Sequence, residues 1–216
     1  MSSTDDEGKH DMNQPTDHFT ASDEPEIARI EASRYLSVRG DGRPGTGAFY
    51  ARKSLAEGAA RELRRVRPDA AWMPEDSTEI AYWYDEEIHG HVGIADFYSA
   101  APLEHLHFRV LVQVPDDVTS DDLATARRNL DVPARTAGTE PELWSTAGGT
   151  VVQVTHHGPF AEEYDTLRRL GEFADRNGLK RSGPHHEIHL DPFSEGSPQE
   201  GLRTILRDWV AVAPAG

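Results

Sequence analysis

The sequence contains no cysteine. That excludes a disulfide scaffold, a cysteine-ligated zinc site and a thiol nucleophile, and it agrees with a cytoplasmic setting. Apolar runs are short, and none approaches the roughly 20 residues that a membrane-spanning helix needs. The N-terminal residues carry neither an apolar stretch nor a basic cluster, so no signal peptide is expected. Basic residues are scarce: 22 Lys and Arg stand against 38 Asp and Glu, for a net charge of -16. A nucleic-acid binder needs a basic face to displace counterions from phosphates, and docking on anionic membranes needs one too. Neither partner is expected. An acidic surface suits a neutral or cationic ligand, and it serves solubility in any case. Also missing are a phosphate-cradling Gly-x-x-x-x-Gly-Lys loop, a dinucleotide fingerprint and a Gly-x-Ser-x-Gly elbow.

What is present is a polar, acidic stretch over 1–24, read as a disordered tail, followed by a domain over 25–216. Ile27 to Arg39 reads as extended, with Tyr35, Leu36 and Val38 the strand-like residues. Ala48, Ala51, Leu55, Ala59, Leu63 and Val66 recur at helical spacing, and Pro68 closes that helix. Strands are expected at Glu79–Tyr84, His91–Phe97 and His107–Val114. Thr119 or Ser120 caps a short helix to about Leu130, and a Pro, Gly and Thr-rich loop runs to about Glu140. Thr150–His156 is β-branched and largely apolar, the strongest strand signal in the chain. Gly158-Pro159 turns into a helix whose apolar stripe is Phe160, Tyr164, Leu167, Leu170 and Ala174, stopped by Asn177-Gly178. A short strand at Glu187–Leu190 and a last one at Leu202–Val212 follow. Two halves, about 25–118 and 140–213, share the order strand, turn, helix, strands. The expected class is α+β with helices on one face of an antiparallel sheet.

Several segments resemble the GyrI-like (gyrase-inhibitor-like) small-molecule-binding family. They are Val152-Gln153-Val154-Thr155-His156-His157-Gly158-Pro159-Phe160, His185-His186-Glu187-Ile188-His189-Leu190 and Arg203-Thr204-Ile205-Leu206-Arg207. Pro25-Glu26-Ile27, Glu79 to Trp83 and Phe108 to Thr119 fit in the same order. The resemblance covers about 25–213 and implies a duplicated βαββ fold with a ligand cleft between the halves. It is closest to a stand-alone branch that includes hydrolases opening the cyclopropane of DNA-alkylating natural products. The chain departs from the pattern at Ile80, where the family has Gly, at Phe160 (Tyr), at His189 (an aromatic) and at Trp209 (Pro).

Glu79 and Glu187 are the candidate catalytic residues. Each sits on an expected strand among apolar or aromatic neighbours. Alternation puts Glu79 on a face with Ala81 and Trp83, and Glu187 on a face with His185 and His189. A carboxyl group buried beside aromatic rings is driven toward the pKa range of a general acid or base. Read from the residues alone, a solvated face remains the alternative. The resemblance implies that both glutamates face one cleft. Trp83, Phe97, Trp144, Phe160 and His189 are the candidate substrate-binding residues, suited to holding a flat aromatic or polycyclic ligand. His185 and His189 flank Glu187 in a pattern that a zinc ion could use. The helical His-Glu-x-x-His motif is absent and the family is not one of metalloenzymes, so neither metal nor cofactor is expected. Three functions stay open: a cyclopropane-opening hydrolase, a drug-sequestering protein and a gyrase-interacting protein.

Overall fold

The computed structural model describes residues 16–73, 77–130 and 139–213. The expected class holds. Eight strands form one antiparallel sheet: β1 (Glu26–Ile30), β2 (Ser33–Asp41), β3 (Thr78–Trp83), β4 (His107–Gln113), β5 (Glu142–Thr146), β6 (Gly149–His157), β7 (Leu179–His189) and β8 (Arg203–Val212). The helices are α1 (Gly47–Val66), the short α2 (Glu86–His89), α3 (Ser120–Asn129) and α4 (Glu163–Arg176). None of them is long and apolar enough to cross a membrane.

The strand order is β1-β6-β8-β7-β3-β4-β2-β5. Its centre shows the duplication. In the first half β4 lies between β2 and β3, and in the second half β8 lies between β6 and β7. The halves join along β3 and β7, where Ile80 pairs with Glu187 and Ala81 with His186.

The sheet must curl. β1 and β2 are joined by two residues, yet five strands separate them in the order. Six spacings amount to roughly 29 Å on a flat sheet, far beyond a two-residue reach. The same holds for β5 and β6. The ladder Ile30↔Gly149 resumes as Ser33↔Thr146, so the two links run side by side. Gly148 permits this approach, because a Cβ there would lie 2.8 Å from both the Ala32 nitrogen and the Ile30 oxygen.

Helices cover one face. α1 begins at the N-cap Thr46, whose hydroxyl accepts from the Phe49 N–H at 3.3 Å. It buries Phe49, Leu55, Ala59 and Leu63 against β2 and β4. α3 starts with a capping box of Thr119 and Asp122. α4 packs on β6 and β7 through Leu167, Leu170 and Ala174. Each fully buried leucine contributes about 1.5–3 kcal/mol.

Four expectations are corrected. Residues His91–Phe97 form no strand. Val92, Ile94 and Phe97 are buried as plugs, and the Val92 carbonyl accepts from Arg181 Nε at 2.7 Å instead of from a ladder. β5, where no strand was expected, begins just past the expected loop to about Glu140, of which 131–138 lies outside the described residues. β7 begins at Leu179, not Glu187, with a register break around Pro184, which has no N–H to pair. Finally, the expected tail is packed over 16–24. Thr155 N–H donates to the Ser22 carbonyl at 2.8 Å, and Arg207 Nη2 to the His18 carbonyl at 2.9 Å. This polar segment uses its backbone to satisfy polar groups on the face opposite the helices. Residues 1–15 lie outside the described residues.

Candidate functional site

A cavity of about 370 Å³ opens on the helical face, between the halves. Phe49 and Tyr50 of α1 form one wall, and Phe160 with Tyr164 at the start of α4 forms the other. The floor is the β3–β7 junction, with Ile80 and Tyr82 on one side and Glu187 and His189 on the other. Tyr98, Phe193, Glu163 and Arg43 add to the polar and aromatic lining.

Glu187 is held from several directions. The Tyr98 hydroxyl donates to Oε1. His189 Nε2 lies 3.2 Å from Oε2, and His185 Nε2 lies 3.8 Å from Oε1. His185 is anchored from behind, because its Nδ1 donates to Asp208 Oδ2 at 3.0 Å. Burial disfavours the charged imidazole, but Asp208, helped by Glu187, outweighs it and raises the His185 pKa. Burial likewise works against ionising Glu187. The two histidines and the Tyr98 hydroxyl reverse that, holding its carboxyl below the ordinary range.

Glu163 is the second carboxyl of the cavity and is also buried. Burial, reinforced by repulsion from Glu187, pushes its pKa well above the ordinary value. Its Oε1 accepts from no donor among the described residues, and the Glu187 carboxyl lies within hydrogen-bonding reach. The opposite shifts favour the proton on Glu163 and the charge on Glu187, and two carboxyls so close titrate as a unit. A buried acid beside a buried base is the equipment for moving protons onto and off a bound molecule.

The expected site residues divide by sheet face. Glu187, His189 and Phe160 line this cavity. Phe97 is fully buried behind it, its ring 4.8 Å from that of His185. Glu79, Trp83 and Trp144 lie on the other face. The reason is register: Ile80, not Glu79, stands opposite Glu187, so strand alternation sends the two glutamates to opposite sides. The expectation of two glutamates in one cleft is therefore corrected. Trp83 stacks on His107 at 5.7 Å, and Trp144 packs 5.9 Å from Tyr35.

Glu79 has its own buried environment. His18 Nε2 donates to Oε1 at 2.9 Å, and His186 Nε2 sits 2.8 Å from Oε2 without hydrogen-bond alignment. Burial alone would raise the Glu79 pKa, but the two histidines outweigh it and hold the carboxyl well below its ordinary range. Arg207 lies in the same cluster, donating from Nε to Gln153 Oε1 at 2.8 Å, and burial brings its pKa down to about 10. The charges here face other protein groups: Glu79 lies between His18 and His186, and Arg207 donates to Gln153 and the His18 carbonyl.

Sequence reasoning missed Glu163, Tyr98, Tyr82, Tyr50 and Phe193. The signal for Glu163 was present: Glu163, Leu167, Leu170 and Ala174 share one helical stripe. Tyr164, assigned to that stripe, is 46% exposed at the cavity rim.

No family model matches the chain, and no curated protein matches it. Solved structures do. An uncharacterized conserved protein from Listeria innocua is 22% identical with a TM-score of 0.69, covering 88% of this chain and 93% of its own. A hydrolase from Listeria innocua is 20% identical with a TM-score of 0.65, covering 89% and 94%. The EcmrR C-terminal domain is 12% identical with a TM-score of 0.57, covering 88% and 98%. At these identities the likeness shows a shared fold over nearly the whole described chain.

Proposed function

We propose that the protein is a hydrolase that adds water to a small, flat aromatic molecule held between α1 and α4. The observation that carries this is the Glu163–Glu187 pair, two buried carboxyls in one aromatic cavity whose environments drive their pKa values apart. Glu187 is the base and Glu163 the acid. Tyr98, His189 and His185 position Glu187, with Asp208 behind His185. Phe160, Tyr50 and Tyr82 supply ring faces for stacking.

The substrate class we propose, in keeping with the sequence resemblance, is a cyclopropane fused to a conjugated dienone, as in DNA-alkylating cyclopropanoids. Water attacks the ring methylene as Glu187 takes its proton. The strained C–C bond breaks, and its electron pair enters the dienone, which becomes aromatic. Glu163 protonates the former carbonyl oxygen to give a phenol. The balance is addition of one water, and proton exchange with solvent restores the pair. Such a reaction would protect a cell against the alkylator. The hydrolase description of one structural relative is consistent with this reading.

The test is incubation with a spirocyclopropane dienone and mass spectrometry of the product. Gain of one water by the substrate, lost in both Glu187→Gln and Glu163→Gln, is the expected result. Tight binding without turnover would instead leave a sequestering protein, a reading that the enclosed aromatic walls also accommodate.

A further inference from the structure

We propose that the protein has a second small-molecule site, on the sheet face turned away from the helices. It takes a neutral, flat aromatic ring bearing a hydrogen-bond donor, of the indole or phenol type. A cavity of about 270 Å³ lies there, separate from the one that holds Glu187. Trp144 of β5 and Trp209 of β8 line it, Ala81 and His186 contribute from the β3–β7 junction, and the β5–β6 link and the irregular 182–184 segment close its rim. Adjacent residues of β7 separate the two cavities: His186 projects into this one and Glu187 into the other.

The chemistry of the lining selects the ligand. None of its described residues is Asp, Glu, Lys or Arg, so a charged ligand finds no counterion. Two indole rings and the imidazole offer faces for stacking, and the His186 ring is already stacked on Trp209 at 5.4 Å and 18°. The volume fits one or two fused rings, below the usual size of a drug pocket.

His186 supplies the polar anchor. It is fully buried, and its Nε2 is turned toward Glu79 Oε2 at 2.8 Å. With the proton of the neutral ring on that side, Nδ1 is left as an acceptor. Neither ring nitrogen has an aligned hydrogen-bond partner among the described residues, and Nδ1 has no carboxylate facing it as Nε2 does. Burial is the largest influence on this ring and lowers its pKa, which favours the neutral form. A buried acceptor without a donor is a standing cost to folding, and a ligand N–H or O–H relieves it. Glu79, expected from the sequence to be catalytic, thus favours the Nε2–H tautomer of His186 through its nearby charge, without an aligned hydrogen bond.

The test uses the full chain and two probes, indole and 1-methylindole, which differ in the N–H donor. The chain has 4 tryptophans, so proton–nitrogen NMR gives each side-chain N–H its own signal. Indole should shift the Trp144 and Trp209 signals saturably and leave Trp72 and Trp83 in place. 1-Methylindole should bind about fivefold more weakly, the worth of one ordinary hydrogen bond. Ser182→Trp, at an exposed rim position, should fill the mouth and abolish saturation. Equal binding of both probes, shifts confined to residues around Phe160 and Tyr164, or no saturable shift would overturn the proposal.

Discussion

Glu187 stands directly across from Ile80 in the β3–β7 ladder, one residue out of step with Glu79, so the two glutamates project from opposite faces of the same sheet. This relationship separates the carboxylate proposed for chemistry from one enclosed by protein partners. Glu187 shares a ligand-sized cavity with a second carboxyl, whereas Glu79 is enclosed by His18 and His186.

The first prediction is a contrast between two identical substitutions. Glu187→Gln should lower turnover by at least about a hundredfold, the lower end for loss of a general base. Glu79→Gln should leave the chemical step intact and cost about 3–5 kcal/mol of stability, because it strips a buried charge cluster of its partner. Urea unfolding beside single-turnover kinetics reads both.

Glu163→Gln should trade activity for stability. A carboxyl whose folded pKa is raised must take up a proton on folding once pH exceeds its unfolded value, near 4.5. Stability is therefore full below that pH and is lost as pH rises toward the folded pKa. Gln mimics the protonated form and carries no such penalty. The variant should be more stable than the parent at neutral pH and lose that advantage near pH 4, as denaturant midpoints at the two pH values will show.

Glu79 has the opposite sign. Its folded pKa is depressed, so its stabilisation is present above about pH 4.5 and is lost as pH falls toward the folded value. Acid unfolding of Glu79→Gln should accordingly be less steep than that of the parent between pH 5 and pH 3.

Tyr98→Phe removes the hydroxyl that donates to Glu187. Without it the ionised base is less favoured, and the pair's acidic apparent pKa moves up. The fall in rate on acidification should therefore begin at a higher pH than in the parent. A pH–rate profile unchanged in position would exclude Tyr98 as a positioning residue.

Gly148→Ala should cost about 1–3 kcal/mol, because its Cβ would press on two backbone atoms that cannot yield. Gly149→Ala is the control. Its Cβ would meet only the Trp209 ring, at 3.5 Å, and the loss should be far smaller.

Much of this fold was legible because periodicity reports burial. α1, α3, α4, β6 and β8 follow from spacing and from cap and stop residues, and of the residues expected at a site Glu187, His189 and Phe160 line the cavity. What failed depended on pairing. The alternation within β3 and within β7 was read correctly, yet which residue of one faces which residue of the other is a tertiary fact. A shift of one residue decides whether Glu79 joins Glu187. Tyr98 sits in an irregular segment with no period to reveal it. Glu163 was hidden because an apolar stripe was sought, and a buried acid occupied one of its positions.

The most direct measurement of the central claim follows a spirocyclopropane dienone in oxygen-18-labelled water under single-turnover conditions. The account predicts a ring-opened phenol carrying one labelled oxygen from the parent and from Glu79→Gln, and no product from Glu187→Gln. Undiminished labelled product from Glu187→Gln, or none from the parent, would contradict it.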